Sequence, residues 1–309
     1  MSASSTYAAA ADPAFAHGAA WVDGEVVPAR EARIPILDTG FVRSDLTYDV
    51  VSVWRGAFFR LDDHLARFER NWRRLRLRPP LPPERQRELL FELVRRSGLE
   101  DAYVAMIVTR GVPAPGERDP RRFDNRFYAY AVPYVWIQRP DQQAEGTHLV
   151  VARDTVRIPP ASVDPTVKNF HWGDLVRGLF EAYDRGGALG VLTDGAGNVT
   201  EGPGFNVFAL VDGVLRTPAE GVFDGMTRRT LIELVREERI APLEVGELPV
   251  AELGRAQEIL LSSTAGGIMP VTTLDGAPVG DGRPGALTRR LHARYWEAHG
   301  EARFATPVS

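Results

Sequence analysis

Cysteine is absent from the 309-residue chain, and no apolar run of about 18 residues occurs. The first absence excludes disulfides, thiolate nucleophiles and cysteine-ligated metals, and it is typical of a cytoplasmic protein, the localisation we expect. The second leaves no segment that predicts a membrane-spanning helix. Positive charge is not in excess: the formal net charge is −4, so neither nucleic acid nor an anionic membrane is an expected partner. The six histidines show no metal-ligand spacing, and no metal is expected.

Lysine is nearly absent as well. Of the 37 Lys and Arg residues, only Lys168 is a lysine. A genome rich in G and C replaces surface lysines by arginine at little cost, because both are solvated cations. A lysine persists where arginine cannot serve, since an amine can lose its proton and attack a carbonyl. Phe170 and Trp172 flank Lys168, and such neighbours desolvate an amine. We therefore predict a nucleophilic lysine, with a surviving surface lysine as the alternative.

Two strand-rich parts are separated by a polar segment. Residues 1–17 are rich in Ala and Ser without a basic start, and they predict a loose N-terminal arm rather than a signal peptide. The segment 139–145, which contains Pro140, predicts a linker. We expect a small N-terminal domain at 18–138 and a larger domain at 146–309.

Local patterns predict both antiparallel strands and helices. Asp-Gly pairs at 23–24, 212–213 and 275–276 lie between apolar runs, which is the signal of a two-residue hairpin. Residues 103–110 and 126–135 predict a further strand pair. Apolar residues at helical spacing predict helices near 63–75, 83–97, 173–185, 227–235 and 287–298. The predicted fold class is therefore α+β or mixed α/β.

Glu201 lies in a Gly-rich turn between two predicted strands, within TEGPGFN at 200–206. Glycine leaves room for a flat ligand to approach such a turn closely. A pyridinium nitrogen needs an acidic partner to stay protonated and act as an electron sink. Glu201 is a candidate for that partner, and a hairpin glutamate in solvent is the alternative.

Two segments have the features of a phosphate site. Residues 223–228 lead into a helix whose first amides, together with the hydroxyl of Thr227, form an anion site. Residues 262–267 follow a strand and present amides and hydroxyls. The alternatives are a threonine near an N-cap and a plain Gly-rich loop. Arg67 lies on its predicted helix opposite the apolar stripe, and periodicity alone predicts a solvated arginine.

Several stretches of the sequence form a recognisable set. They are ARIPILD at 32–38, SDLTYDV at 44–50, FRLDDHL at 59–65 with Arg67, PTVKN at 165–169 with WGDL at 172–175, TEG at 200–202 with GFN at 204–206, and TAGG at 264–267. With them, the chain from about Gly18 to Trp296 resembles the fold type IV PLP-dependent aminotransferases, the branched-chain aminotransferase-like group. Within that group it is most similar to the (R)-selective amine transaminases. The resemblance implies a two-domain fold of D-amino acid aminotransferase type, pyridoxal 5′-phosphate (PLP) as cofactor, and a homodimer with active sites at the subunit interface.

The resemblance also implies a role for each matching residue. Lys168 is expected to form the Schiff base with PLP and to move a proton between the substrate carbon and the cofactor. Glu201 is expected to pair with the pyridine nitrogen. The other expected cofactor-binding residues are Arg67, Phe205, Asn206, Phe223, Met226, Thr227 and Thr264, and Arg67 is thereby expected at the phosphate rather than in solvent. The residues expected at the substrate are Arg43, Tyr48, Val50, Tyr103, Ala105, Arg118, Trp172 and Ala265, with Arg118 meeting the carboxylate of a keto acid.

The implied activity is transfer of an amino group from a primary amine, expected to be the (R)-enantiomer, to a keto acid such as pyruvate. The expected mechanism is ping-pong through pyridoxamine phosphate. Arg43 and Ala105 depart from relatives that carry His and Glu there, and these changes favour a carboxylate-bearing substrate. A branched-chain or D-amino acid aminotransferase, a PLP lyase of the aminodeoxychorismate type and a non-catalytic PLP-binding protein are the alternatives.

Overall fold

The computed structural model describes residues 12–309, and over this range the chain forms eight α-helices and sixteen strands. The helices are α1 (Thr39–Arg43), α2 (Leu61–Arg74), α3 (Pro83–Ser97), α4 (Pro140–Glu145), α5 (Gly173–Asp184), α6 (Met226–Glu237), α7 (Val250–Leu253) and α8 (Ala286–Ala298). The strands are β1 (Ala19–Val22), β2 (Glu25–Pro28), β3 (Leu46–Trp54), β4 (Ala57–Phe59), β5 (Ala102–Val112), β6 (Asp124–Pro133), β7 (Thr147–Val156), β8 (Leu189–Thr193), β9 (Glu201–Gly202), β10 (Phe205–Val211), β11 (Val214–Pro218), β12 (Leu243–Gly246), β13 (Glu258–Ser263), β14 (Gly267–Leu274), β15 (Ala277–Pro278) and β16 (Ala305–Pro307). The mixed α/β fold class is confirmed.

Contacts divide the described chain into two units. The lysine unit consists of residues 12–135, Val167–Phe170 and His299–Ser309, and the glutamate unit consists of Trp136–Thr166 and His171–Ala298. The division expected at 138 is therefore modified, because two later segments belong with the N-terminal residues. The predicted linker at 139–145 consists mostly of α4. The predicted arm at 1–17 falls outside the described residues as far as residue 11, and Phe15 beyond that point is buried in a 3-10 turn.

The lysine unit is built on an antiparallel sheet, whose strands among the described residues run in the order β16-β4-β3-β5-β6-β1-β2. Side chains alternate between the two faces of a strand. Val51 and Val53 of β3 accordingly join the core cluster that contains residues of α2 and α3. Tyr48 and Val50 lie in a separate cluster. The two faces of the strand therefore contribute to two different buried clusters.

The glutamate unit is built on a mixed sheet. In the described chain its strands follow the order β12-β11-β10-β13-β14-β7-β8, with β9 beside β10 and β15 beside β14. The pairs β11–β12, β14–β7 and β7–β8 are parallel. Parallel strands need a crossover connection, and α5 supplies it between β7 and β8, with Leu175 packed against Ala152 and Leu192. The fold thus places Glu201 of β9 directly beside β10.

The three Asp-Gly hairpins are confirmed. They join β1 to β2, β10 to β11 and β14 to β15, and the φ angles of Asp23, Asp212 and Asp275 are 51°, 50° and 49°. A further tight hairpin, at Arg55-Gly56 between β3 and β4, has the same left-handed backbone. It was not predicted because arginine lacks the short polar side chain that favours this conformation.

The five predicted helices correspond to α2, α3, α5, α6 and α8. Each has an apolar face long enough to be detected by its spacing. The short helices α1, α4 and α7 were not predicted. Across residues 12–309, no helix combines the length and the apolar character needed to cross a membrane.

Candidate active site

Lys168 is tied to β3 of the lysine unit by its own backbone. Its carbonyl oxygen accepts hydrogen bonds from the Thr47 hydroxyl at 2.7 Å and from the Tyr48 amide at 3.2 Å. Its Nζ lies 4.7 Å from the centroid of the Tyr48 ring, and Phe170 packs against that ring with centroids 4.6 Å apart. Lys168 is half-buried. The single lysine therefore has a fixed backbone and an aromatic neighbour at its amine.

Four of the predicted substrate residues share one face of the same sheet. Tyr48, Val50 and Ala105 form a buried cluster with Leu46, and Tyr103 packs against it together with Ile107 and Tyr130. Ala105 lies between Val50 and Tyr130 in the strand register. Burial raises the pKa of both Tyr103 and Tyr130 above the ordinary value for tyrosine. These phenols therefore stay neutral, and the face is apolar with neutral hydroxyls.

Arg67 is buried rather than solvated, so the expectation from periodicity was wrong. Its Nε and Nη2 donate to the two carboxylate oxygens of Asp49, each at 2.7 Å. His64 Nδ1 lies 2.8 Å from Asp49 Oδ1. Burial raises the pKa of Asp49, but the charge of Arg67 and the hydrogen bonds from His64 and Arg67 lower it far below its ordinary value. The charge pair makes burial of the guanidinium possible, which the spacing along α2 cannot reveal.

Glu201 of the glutamate unit is buried with both carboxylate oxygens engaged. Arg157 Nε donates to Oε1 at 3.1 Å, and the Phe223 amide donates to Oε2 at 2.8 Å. Asn206 Nδ2 lies 3.5 Å from Oε2 and donates to the Phe223 carbonyl at 2.9 Å. The alternative of a solvent-exposed hairpin glutamate is wrong. The predicted acid and the predicted phosphate segment at 223–228 therefore meet within this unit.

The start of α6 has a bare N-terminus. Gly225 is its N-cap and carries no side chain to satisfy the first amides. A Cβ on Gly225 would lie 2.2 Å from Asn206 Oδ1, so only glycine fits this approach. Met226 and Thr227 in the first turn are buried, and the Thr227 hydroxyl lies 3.1 Å from the Tyr295 hydroxyl. Amides and a positioned hydroxyl at a helix N-terminus suit a phosphate group.

The 264–267 turn is fixed to its surroundings by backbone contacts. The Ser263 hydroxyl donates to the Gly204 carbonyl at 2.7 Å, and the Ala265 amide donates to that hydroxyl at 3.1 Å. The Ile137 amide donates to the Ala265 carbonyl at 2.8 Å. The turn that contains Thr264 and Ala265 is thus joined to the Gly-rich turn that follows Glu201.

The remaining predicted residues occupy varied positions. Phe205 packs into the core against Gly202, so its ring has a packing role, and its cofactor contact stays a prediction. Trp172 is half-buried at the start of α5. Arg43, in the last turn of α1, and Arg118, in the loop after β5, are both exposed. Their contacts with substrate stay predictions.

Four residues of these networks were missed by the sequence analysis. Asp49 and His64 lie inside recognised stretches, SDLTYDV and FRLDDHL, and their polarity beside apolar residues was the available signal. Arg157 and Tyr295 lie outside every motif. Their partners, Glu201 and Thr227, are 44 and 68 residues away in the sequence, so no local pattern could find them.

The mixed α/β fold is that of the fold type IV enzymes, a class that uses a phosphorylated pyridine cofactor. The family model of class IV aminotransferases (Amino-transferase class IV) matches residues 46–274. The chain belongs to this family and is a PLP-dependent aminotransferase. Residue types that suit the groups of PLP are present in each unit. The lysine unit has an amine for its aldehyde, and the glutamate unit has a buried carboxylate for its pyridine nitrogen and an uncapped helix N-terminus with a threonine for its phosphate.

Named relatives agree with that family. The chain is 28% identical over 278 residues to a protein of Methanocaldococcus jannaschii that carries the name of a putative branched-chain-amino-acid aminotransferase, covering 89% of this chain and 94% of the relative. It is 29% identical over 291 residues to the D-alanine aminotransferase of Listeria monocytogenes, and the match covers 92% of this chain and 98% of that relative. The crystal structure of the branched-chain aminotransferase from the archaeon Thermoproteus uzoniensis with norvaline has a TM-score of 0.84 at 25% identity, covering 95% of this chain and 100% of that one.

Proposed function

We propose that this aminotransferase takes an amino group from a primary amine, with preference for the (R)-enantiomer, and transfers it to a keto acid such as pyruvate. The observation that supports this proposal is the face formed by Tyr48, Val50, Tyr103, Ala105 and Tyr130 in the unit that contains Lys168. It is apolar and aromatic, and its polar groups are neutral phenols. Such a surface suits a hydrophobic amine, because the uncharged substituent of the amine can pack against apolar side chains and needs no charged partner.

The chain's own residues have distinct parts in this proposal. When bound, PLP supplies the electron sink that lets the substrate carbon lose its proton. Lys168 holds the cofactor covalently at rest, and its Nζ accepts and returns that proton. Glu201 holds a proton on the pyridine nitrogen. Arg67, the Met226 amide, Thr227 and Thr264 would hold the phosphate, and Asn206 and Phe223 would contact the cofactor.

The direct test is turnover of (R)-1-phenylethylamine with pyruvate, followed by detection of acetophenone. We expect ketone from the (R)-amine and little from the (S)-amine. The Ala105→Leu variant should lose activity with this bulky amine more than with a small alkylamine, because Ala105 provides space beside Tyr130. If Ala105→Leu leaves the preference between the bulky amine and the small alkylamine unchanged, this face is not part of the substrate site.

A second candidate is an amino acid transaminase, either branched-chain or D-specific. Two exposed arginines favour it, because Arg43 and Arg118 are cations available to a carboxylate. Turnover of leucine or D-alanine without ketone from either phenylethylamine enantiomer would establish it in place of the first proposal. Under the first candidate, Arg118→Ala should weaken the use of pyruvate far more than the use of the amine, whereas under the second it should weaken the use of both carboxylate-bearing substrates. Arg121→Ala, which removes a neighbouring exposed arginine, is the matched control.

We also propose that the working form is a homodimer whose interface includes the exposed apolar residues on either side of the buried positions 38–40. Ile36, Leu37 and Phe41 are 73%, 65% and 64% exposed. Contiguous exposed apolar residues mark interaction sites. Phe41→Glu should shift the light-scattering mass to that of a monomer, and Val245→Glu, at another exposed apolar position, should not. If the Phe41→Glu variant still has the mass of a dimer, the interface does not include these residues.

A further inference from the structure

Arg157 bridges two buried carboxylates in the glutamate unit. Its Nε donates to Glu201 Oε1 at 3.1 Å, and its Nη1 donates to Asp174 Oδ2 at 2.7 Å. The side chains of Arg157, Glu201 and Asp174 are only 8%, 6% and 8% exposed. A charge cluster this buried is weakly screened by solvent, so each charge strongly affects its neighbours.

The cluster contains two carboxylates and one guanidinium. Amides share part of the negative charge: Ile158 and Leu175 donate to Asp174 at 2.8 and 2.9 Å, and Phe223 donates to Glu201 at 2.8 Å. Burial lowers the pKa of Arg157, but the charges of Glu201 and Asp174 raise it above its ordinary value. Arg157 is therefore a permanent cation. One negative charge remains in excess within this trio.

Asn206 and Arg228 also lie near Glu201. Asn206 is neutral, and its Nδ2 lies 3.5 Å from Oε2. Arg228 of α6 carries a positive charge on this side, but its Nε and Nη2 are bound to the Thr217 hydroxyl and the Pro218 carbonyl. Arg157 is a cation whose hydrogen bond ends on the carboxylate itself. Its position favours the ionised form of Glu201 over the protonated form.

We propose that Arg157 is a positioning residue that keeps Glu201 ionised, so that the proton shared between Glu201 and the pyridine nitrogen of PLP stays on the nitrogen. This inference rests on the proposed pairing of Glu201 with PLP. The guanidinium donates directly to Oε1 and so stabilises a negative charge on that carboxylate. Without Arg157, the buried carboxylate would be stabilised by taking the proton itself. The ring would then be a weaker electron sink.

The test uses PLP labelled with 15N at the ring nitrogen, bound to the full-length enzyme at neutral pH. The 15N chemical shift reports whether that nitrogen is protonated, independently of turnover. We expect a protonated signal in the wild type and a signal moved towards the neutral ring in Arg157→Gln. An unchanged signal in folded Arg157→Gln would overturn the proposal, because a purely structural arginine would alter the melting temperature alone.

Asp174→Asn is the matched control. It breaks the same buried network but leaves Arg157 on Glu201, so the protonated signal should remain even if stability falls. Equal loss of that signal in both variants would contradict a specific role for Arg157. If Arg157→Gln does not fold, Arg157→Lys decides: it retains the charge and should retain the protonated ring, and a neutral ring there would overturn the proposal. Failure of wild-type protein to retain PLP after borohydride reduction would instead refute the proposed function.

Discussion

Lys168 and Tyr48 are joined twice. The Tyr48 amide donates to the Lys168 carbonyl at 3.2 Å, and the Lys168 Nζ lies 4.7 Å from the centroid of the Tyr48 ring. The backbone contact fixes the lysine segment to β3, while the ring contact fixes the amine. The position of the amine therefore depends on β3 as well as on the segment that carries Lys168.

Replacement of Lys168 should abolish covalent cofactor attachment. Borohydride reduction of wild-type protein should leave PLP attached to the peptide that contains Lys168, as measured by mass spectrometry. Lys168→Ala should retain no PLP after reduction and denaturation, because the chain has no other lysine. Reduced PLP on another residue of either protein would refute the assignment.

The Tyr48 ring should matter more than its hydroxyl. The ring lies against the Lys168 amine, and a displaced reacting group lowers the rate by up to about 100-fold, so Tyr48→Ala should lower kcat by about 10- to 100-fold through a misplaced amine. Tyr48→Phe retains the ring and should stay close to the wild-type kcat. A large loss in Tyr48→Phe would instead indicate that the phenol hydroxyl takes part in the reaction.

Asp49 should be important for stability. Removing one partner of a buried ion pair costs about 3–5 kcal/mol, and Asp49→Asn leaves Arg67 without its counter-charge. The pKa of Asp49 is lower in the folded chain than in the unfolded chain, where it is about 4. Its contribution to the free energy of unfolding is therefore fully present above pH about 4 and is lost as the pH falls through the pKa of the folded chain. Chemical denaturation at neutral pH measures the loss. Asp62→Asn, at an 81% exposed carboxylate, should change stability by about 0–1 kcal/mol.

His64 should make stability depend on pH in mildly acidic solution. Burial lowers the pKa of His64 below its ordinary value, although Asp49 opposes this shift. As the pH falls below about 6.5, His64 takes up a proton in the unfolded chain but stays neutral in the folded chain. The free energy of unfolding therefore decreases until the pH reaches the pKa of His64 in the folded chain. His64→Asn should remove this decrease in denaturation curves between neutral and mildly acidic pH. His17→Asn, at an exposed position, should behave as wild type, and an equal slope in all three proteins would contradict the prediction.

Gly225 should tolerate no side chain. A Cβ there would displace Asn206, whose Oδ1 lies 2.2 Å from that position. A displaced buried amide costs about 1–3 kcal/mol, so Gly225→Ala should weaken PLP binding about tenfold or more. Fluorescence titration of apo-protein with PLP measures this change. Gly173→Ala, at a helical glycine with open space around it, is the control and should bind as wild type.

Sequence predicted the features that local chemistry determines. The Asp-Gly hairpins were found because Asp and Gly accept a left-handed backbone, and the long helices were found because their apolar spacing is periodic. Arg67 was different, because the Asp49 that makes its burial favourable lies on another element, 18 residues away. Lys168 was found as a composition outlier, whereas Arg157 is one of 36 arginines and has no such signal. The resemblance implied roles that spacing could not indicate, but it implied none for Asp49, His64, Arg157 or Tyr295.

The two faces of β3 have a consequence for changing this enzyme. Two neighbouring residues of the strand have different contacts: Asp49 forms an ion pair with Arg67, and the ring of Tyr48 contacts the amine of Lys168. Inserting or deleting one residue within the strand would exchange its faces, which would remove the counter-charge and the aromatic neighbour in a single step. Natural or laboratory variation of substrate range along this strand is therefore expected to proceed by substitution at Tyr48 and Val50, with the strand length kept constant.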